Sequence, residues 1–296
     1  MDSKQKKHFD DGKTAIVYIV MRVLVIAILI REATQGKWDG VVYCGLTLVL
    51  FMVPSLVERK LRIELPTVLE TVVLLFIFAS EILGELGAFY LKIPGWDLIL
   101  HTTNGFLMAA IGFALIDVLN RSPRINMQLS TFFVAFVAFC FSMTIGVLWE
   151  FAEYSVDKFF GGDMQKDTVV STIGSVTINP DGLNKPVWIT DISETVINGA
   201  VNGEKAEIIV DGYLDIGLHD TMEDMFVNLI GALVFSIVGA IYLHGRGQGK
   251  GQMAGAFIPR MLTEEEAEAR EEQDAVRKRQ RFLRFKKKQN SKSDDS

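Results

Sequence analysis

Gly217-Leu-His-Asp-Thr-Met-Glu-Asp-Met-Phe-Val-Asn-Leu-Ile-Gly231 sets five ionisable or amide side chains at the mouth of an apolar run that continues to Leu243. At about 3.6 residues per turn, Asp220, Asp224, Asn228 and Gly231 share one helix face, with His219 and Glu223 beside them one turn apart. A carboxylate near hydrocarbon is costly unless it is paired, protonated, hydrated or bound to a cation. This face therefore belongs against other helices or a wet cavity, not against lipid.

The whole chain agrees with a membrane setting. Its 296 residues are 49% hydrophobic, and the mean hydropathy is +0.27 although 22% of residues are charged. That balance excludes an ordinary charged soluble domain and reads as a polytopic membrane protein. The net charge of -6 says little as a sum, because acids crowd the middle while Lys and Arg crowd the ends and short loops. Cys44 and Cys140, the two cysteines, sit inside apolar runs and are not placed for a disulfide.

Six apolar segments reach or approach the roughly 20 residues that cross a bilayer core: 14–30, 39–57, 68–90, 97–119, 130–156 and 221–243. The first lacks a small-residue cleavage site and reads as an uncleaved span. It contains Arg22, which calls for an acid such as Glu70 or Asp117. Arg59, Lys60 and Arg62 in one gap and Arg121 and Arg124 in another fall on the same side as the Lys-rich N-terminus and the basic tail. The positive-inside rule then places both termini in the cytoplasm. Trp38, Trp96 and Trp149 gather at the opposite boundary, as aromatic belt residues do.

The expected fold is an all-α polytopic membrane protein: six transmembrane helices with a small extracytoplasmic β-rich insertion between helices 5 and 6. Residues 1–13 form a cytoplasmic N-terminus, 14–160 helices 1–5, 161–219 the insertion, 220–244 helix 6, and 245–296 a cytoplasmic Gly-rich linker and charged helical tail. In the insertion, β-branched runs at 168–178, 186–192 and 206–210 are punctuated by Asn179-Pro-Asp-Gly182, Asn198-Gly199 and Asn202-Gly203. This pattern predicts a meander of two to four strands. Thr263-Glu-Glu-Glu266 is a capping box that starts a helix through about Lys288. Arg277, Lys278, Arg279, Arg281, Arg284, Lys286, Lys287 and Lys288, interleaved with Phe282, Leu283 and Phe285, suit anionic lipid of the inner leaflet. A solvated tail is the plainer reading, and no nucleic acid is expected as a partner.

No internal repeat, GxGxxG, Walker loop, HExxH or CxxC pair is present, so nucleotide-driven transport and the familiar intramembrane zinc proteases lack their signatures. Topology adds what spacing cannot. The start of the fourth span (Asp97, His101, Asn104), the end of the fifth (Glu150, Glu153, Asp157) and the start of the sixth (His219, Asp220, Glu223, Asp224, Asn228) share the outer side. Glu81 and Glu85 lie in the outer half of the third span. The fifth helix meets the others with its C-terminus, where the helix dipole disfavours carboxylates without a counter-charge. A divalent metal ion is the expected cofactor, if there is any, with His101, Glu150, Glu153, Asp220 and Asp224 as ligands. A solvated acidic rim is the bland alternative.

Trp96-Asp97, His101, Gly105, Glu150-Phe-Ala-Glu153, Gly162-Asp-Met-Gln-Lys-Asp167, Asp220-Thr-Met-Glu-Asp224-Met225 and Gly231 together resemble the YjdF-like family of bacterial inner-membrane proteins. More loosely, the order of these residues is similar to VanZ-like membrane proteins. The resemblance implies a multi-pass protein of the bacterial cytoplasmic membrane and cell envelope, and brings no activity with it. Three function classes follow. The first is binding or transport of a cation or cationic solute at an outward-facing acidic/His site. The second is a metal-dependent membrane enzyme acting on a lipid or lipid-linked envelope substrate, and the third a structural or assembly protein.

Overall fold

Apolar runs in hydrocarbon fold as helices because each backbone N–H and C=O must be satisfied within its own segment. The computed structural model describes residues 3–61, 63–121, 128–245, 257–258 and 260–269, with positions 255, 272 and 276. It is mostly helical, with small sheets. Among the described residues, five helices are long and apolar enough to cross a membrane: Trp38–Lys60, Thr67–Leu86, Trp96–Asp117, Thr131–Phe160 and Leu218–Gly245. The expected first span, 14–30, lies in a further helix, α1 (Ser3–Thr34).

The chain divides into two compact units. The first comprises Met1–Ile93, Ala110–Val137 and Ile237–Ser296. In it, α1 packs on α2 (Trp38–Leu50) and α4 (Thr67–Phe78) around Val25, Cys44, Phe51, Leu74 and Ile77. Within the span of the second apolar run, Trp38–Lys60, a turn at Phe51-Met52 divides α2 from α3 (Val53–Leu61). The third, expected to reach residue 90, leaves α geometry after Phe78 for a π-helical segment, Ala79–Leu86, that holds Glu81 and Glu85. It stops there because Ala88 takes a left-handed conformation, φ 55°. A four-residue helix α5 (Phe89–Lys92) follows. Its Tyr90 ring lies against Gly84, and the Tyr90 and Ser80 hydroxyls are 3.2 Å apart. Arg22 donates to the Tyr18 hydroxyl, with its guanidinium 4.1 Å from the centre of that ring.

A short antiparallel ladder in the same unit joins β1 (Ile63–Glu64) to the strand Arg260–Met261, a pairing that no sequence pattern announces. The capping box forms as expected: Thr263 Oγ1 accepts the Glu266 N–H at 3.2 Å and Glu266 Oε2 accepts the Thr263 N–H at 3.1 Å. Residues 264–269 are helical. The basic stretch Arg277 to Lys288 lies outside the described residues.

The second unit, Pro94–Ala109 with Ala138–Ser236, holds the first half of α6 (Trp96–Arg121) and all of α7 (Thr131–Phe160) from Ala138 onward. It also holds six strands and the first two-thirds of α8 (Leu218–Gly245). The strands correct the expected meander. They form three separate antiparallel pairs: β2 (Thr168–Val170) with β7 (Tyr213–Asp215), β3 (Ile173–Ser175) with β4 (Val187–Ile189), and β5 (Thr195–Val201) with β6 (Glu204–Val210). Of the two Asn-Gly pairs, only Asn202-Gly203 makes a turn. Its φ angles of 53° and 85° are the two positive values that a tight hairpin requires. Asn198-Gly199 runs on inside β5, opposite Glu207 and Ala206.

Outside these cores, the helices present large apolar side chains such as Val42, Leu75, Phe132, Phe226 and Ile237 to the exterior. A soluble protein rarely leaves so much apolar surface open, whereas lipid-facing helices do so throughout.

Candidate functional site

Small residues let the polar helix starts meet. On α6, a Cβ at Gly105 would strike the backbone carbonyl of Asn228; on α8, a Cβ at Gly231 would strike the carbonyl of Thr102. Reciprocal glycines thus bring the two backbones into direct contact. From α7, Gly146 faces the Asn228 amide, which a Cβ there would meet at 2.7 Å, and Ser142 Oγ donates to the Gly105 carbonyl at 2.8 Å. Asn104 donates to Asn228 Oδ1 at 3.3 Å, and Asn228 contacts Met143 Sδ at 3.6 Å. These polar contacts pin three helices at one level.

One to two turns toward the starts of α6 and α8 and the end of α7, His101 on α6 is enclosed by acids from all three helices. Its Nδ1 lies 3.7 Å from Glu150 Oε1, and its Nε2 lies 3.5 Å from Asp97 Oδ1 and 3.7 Å from Asp224 Oδ2. His101, Glu150, Glu153 and Asp224 are all buried, and each offers one donor atom within 4.8 Å of all the others. Asp97, Asp220 and Asp224 form a second such group. Around an ion with bonds of about 2.1 Å, donors stand at most about 4.2 Å apart. In a tetrahedral set they stand about 3.4 Å apart, so separations near the 4.8 Å limit must close by more than an ångström when an ion is bound.

The hydrogen bonds set these groups apart. Glu153 Oε1 accepts the Trp149 indole N–H at 2.8 Å. Both oxygens of Asp224 and one of Glu150 are buried with no hydrogen-bond partner. The carboxylate most deeply enclosed is thus the one least satisfied.

Not every expected residue joins the cluster. Asp157 accepts the backbone N–H groups of Met164 (2.6 Å) and Gln165 (2.8 Å), and so folds the loop after α7 back on its helix. Asp220 accepts the Lys166 N–H at 2.7 Å while remaining within the second group. His219 and Glu223 are exposed and belong to neither group. The His219 N–H is held by Asp215 at 2.8 Å, which caps α8, and Glu223 lines an apolar recess of about 670 Å³ with Met143, Met222 and Met225. The dipole argument for α7 weakens, because the helix runs to Phe160. Glu150 and Glu153 lie more than a turn from its end, beyond the reach of the terminal partial charge.

Two residues quoted from the sequence take parts in the site that its reading did not assign. Gln165 donates to Thr221 Oγ1 at 2.5 Å, and with the Lys166 N–H it ties the Gly162 to Asp167 loop to the start of α8. Besides its place in the family resemblance, the clue is composition: a Gly-Gly pair, which lets a loop turn sharply, next to polar residues. Trp149, read as a belt residue, also orients Glu153; its spacing of four residues carried that signal.

No solved structure matches this chain. An uncharacterised protein of Thermotoga maritima is 29% identical over 105 residues, which cover 36% of this chain and 52% of the relative. The chain thus spans about half the length of that relative. Residues 14–245 match a family described as "Predicted membrane protein (DUF2238)", a stretch that takes in every apolar helix and the whole polar cluster. The chain belongs to this family of predicted membrane proteins.

Proposed function

We propose that this chain is a six-span protein of the bacterial cytoplasmic membrane that binds a divalent cation through His101, Glu150, Glu153 and Asp224. In this reading α1 supplies the first span and both termini are cytoplasmic. Residues 161–219 and the mouth of the cluster face outward. The Lys and Arg bias of the short loops supports this orientation, and the family is compatible with the YjdF-like resemblance. Membrane lipid is the surrounding partner.

The observation that carries the cation reading is Asp224: it is fully buried, and neither oxygen has a hydrogen-bond partner. An enclosed, unsatisfied carboxylate costs several kcal/mol unless a positive charge or a proton relieves it. Its neighbours are the donors that a metal takes, and a solvated rim would leave the acids exposed instead. One imidazole among three carboxylates suits Mn²⁺ or Zn²⁺ better than the all-oxygen preference of Ca²⁺ or Mg²⁺. If His101 Nδ1 meets the ion beside Glu150, Nε2 faces Asp97 at 3.5 Å, a carboxylate outside this ligand set that can orient the ring.

Metal content decides the matter. Protein purified in detergent and dialysed against Mn²⁺ or Zn²⁺ is expected to retain ion, and Glu150→Gln and Asp224→Asn are each expected to weaken retention at least tenfold, about 1.4 kcal/mol. Equal, weak retention by all three proteins would return the cluster to a structural role.

A further inference from the structure

Five carboxylates surround one imidazole in this cluster: Asp97, Glu150, Glu153, Asp220 and Asp224. A single divalent ion leaves three of those charges uncompensated if all are ionised. Lys166 offsets them only in part: its positive charge acts on Asp220, but its ammonium is turned to the Asp163 backbone carbonyl and lies 3.5 Å from the Asp163 carboxylate. Its hydrogen bond to Asp220 comes from the backbone N–H. Asp224 is common to both groups of potential ligands, and both of its oxygens are buried and unpartnered. A carboxylate that bridges two ions needs two such oxygens.

We infer that Asp97, Asp220 and Asp224 hold a second divalent cation beside the first, with Asp224 bridging the pair. This rests on the metal reading proposed above and deepens it from one ion to two. The second position has oxygen donors only, so it suits Mn²⁺ or Mg²⁺. Asp97 and Asp220 are half-buried where the first group is buried, so the second ion is the more accessible and the more readily exchanged. With three protein donors it keeps open coordination positions for water or for an anionic oxygen ligand. Paired ions bridged in this way, about 3.5–4 Å apart, clamp phosphoryl or carboxyl oxygens from two sides.

The test uses the full chain in detergent, with Mn²⁺ alone as the probe, by equilibrium dialysis and electron paramagnetic resonance. Wild type is expected to bind two Mn²⁺ per chain and to give the spectrum of a spin-coupled pair. Asp97→Asn and Asp220→Asn, on different helices, are each expected to bind one uncoupled Mn²⁺, with an affinity within about tenfold of the tighter wild-type site. That retained ion also reports that the variants are folded. One uncoupled ion in wild type, removed by Glu150→Gln but untouched by either aspartate change, overturns the second site and leaves the proposed function standing. No bound Mn²⁺ in wild type overturns the second site, and if Zn²⁺ is not retained either, the proposed function falls with it.

Discussion

A carboxylate shut away from water and denied a hydrogen bond destabilises its own fold, and Asp224 is such a group. With Asp97, Glu150, Glu153 and Asp220 around it, like-charge repulsion adds to the desolvation cost. Asp224→Asn removes a charge at nearly constant shape, so the metal-free variant is expected to melt above wild type in detergent. Wild type gains from the ion what the variant cannot: a ligand at about 100 times Kd adds about 2.7 kcal/mol. Thermal unfolding with and without Mn²⁺ should therefore reverse the order of the two proteins. An unchanged order would mean that the carboxylate is relieved by something other than a cation. This much was legible in the sequence, because Asp220, Asp224 and Asn228 recur at helical spacing and must share a face. The division of labour was not. Spacing could not show that Asp157 serves the loop, or that His219 sits exposed where α8 begins. Those outcomes depend on where each helix starts and stops, and helix ends are set by tertiary contacts as much as by local sequence.

The contact between α6 and α8 has no side chain at its closest points, because Gly105 and Gly231 each face the other helix's backbone. A leucine at 231 has no rotamer that avoids the Thr102 carbonyl, so the helices must part. Overpacking of this kind costs about 1–3 kcal/mol or more. Gly231→Leu is expected to lower the melting temperature and to lose the bound ion together with it, since Asp224 would withdraw from His101. Retained ion binding at wild-type affinity would show that the crossing does not position the cluster. Elements were legible where one period ran uninterrupted, as in α6, α7 and α8. They were not legible where a long-range contact reshaped the chain. The π-helical turn at Ala79–Leu86 and the pairing of β1 with Arg260–Met261 carry no local signature. Asn198-Gly199 reads as a turn on its own residues, yet it is a strand because Ala206 and Glu207 lie opposite.

At the scale of the molecule, the proposed sidedness rests on the Lys and Arg bias of the short loops. In a background without Cys44 and Cys140, single cysteines at exposed positions such as Thr177, Asp181 and Glu204 are expected to react with an impermeant thiol reagent on intact cells. Reaction only after lysis would turn the cluster to the cytoplasm and reverse the proposed orientation. Six apolar runs were counted in the sequence, whereas among the described residues five helices are long and apolar enough to span; the first run is joined to a charged N-terminal stretch in one long helix. The pairing of β2 with β7 has a consequence of another kind. Thr168 stands opposite Asp215 and Val170 opposite Tyr213, so the chain leaves and re-enters at a single spot. Everything from Ser171 to Gly212 is a cassette clipped shut at its base, with the loop that touches Asp220 on the near side of the clip. Such a segment can lengthen, shrink or be exchanged over evolutionary time while α7 and α8 keep their register, and a lineage can alter what it shows to its surroundings without disturbing the chemistry beneath.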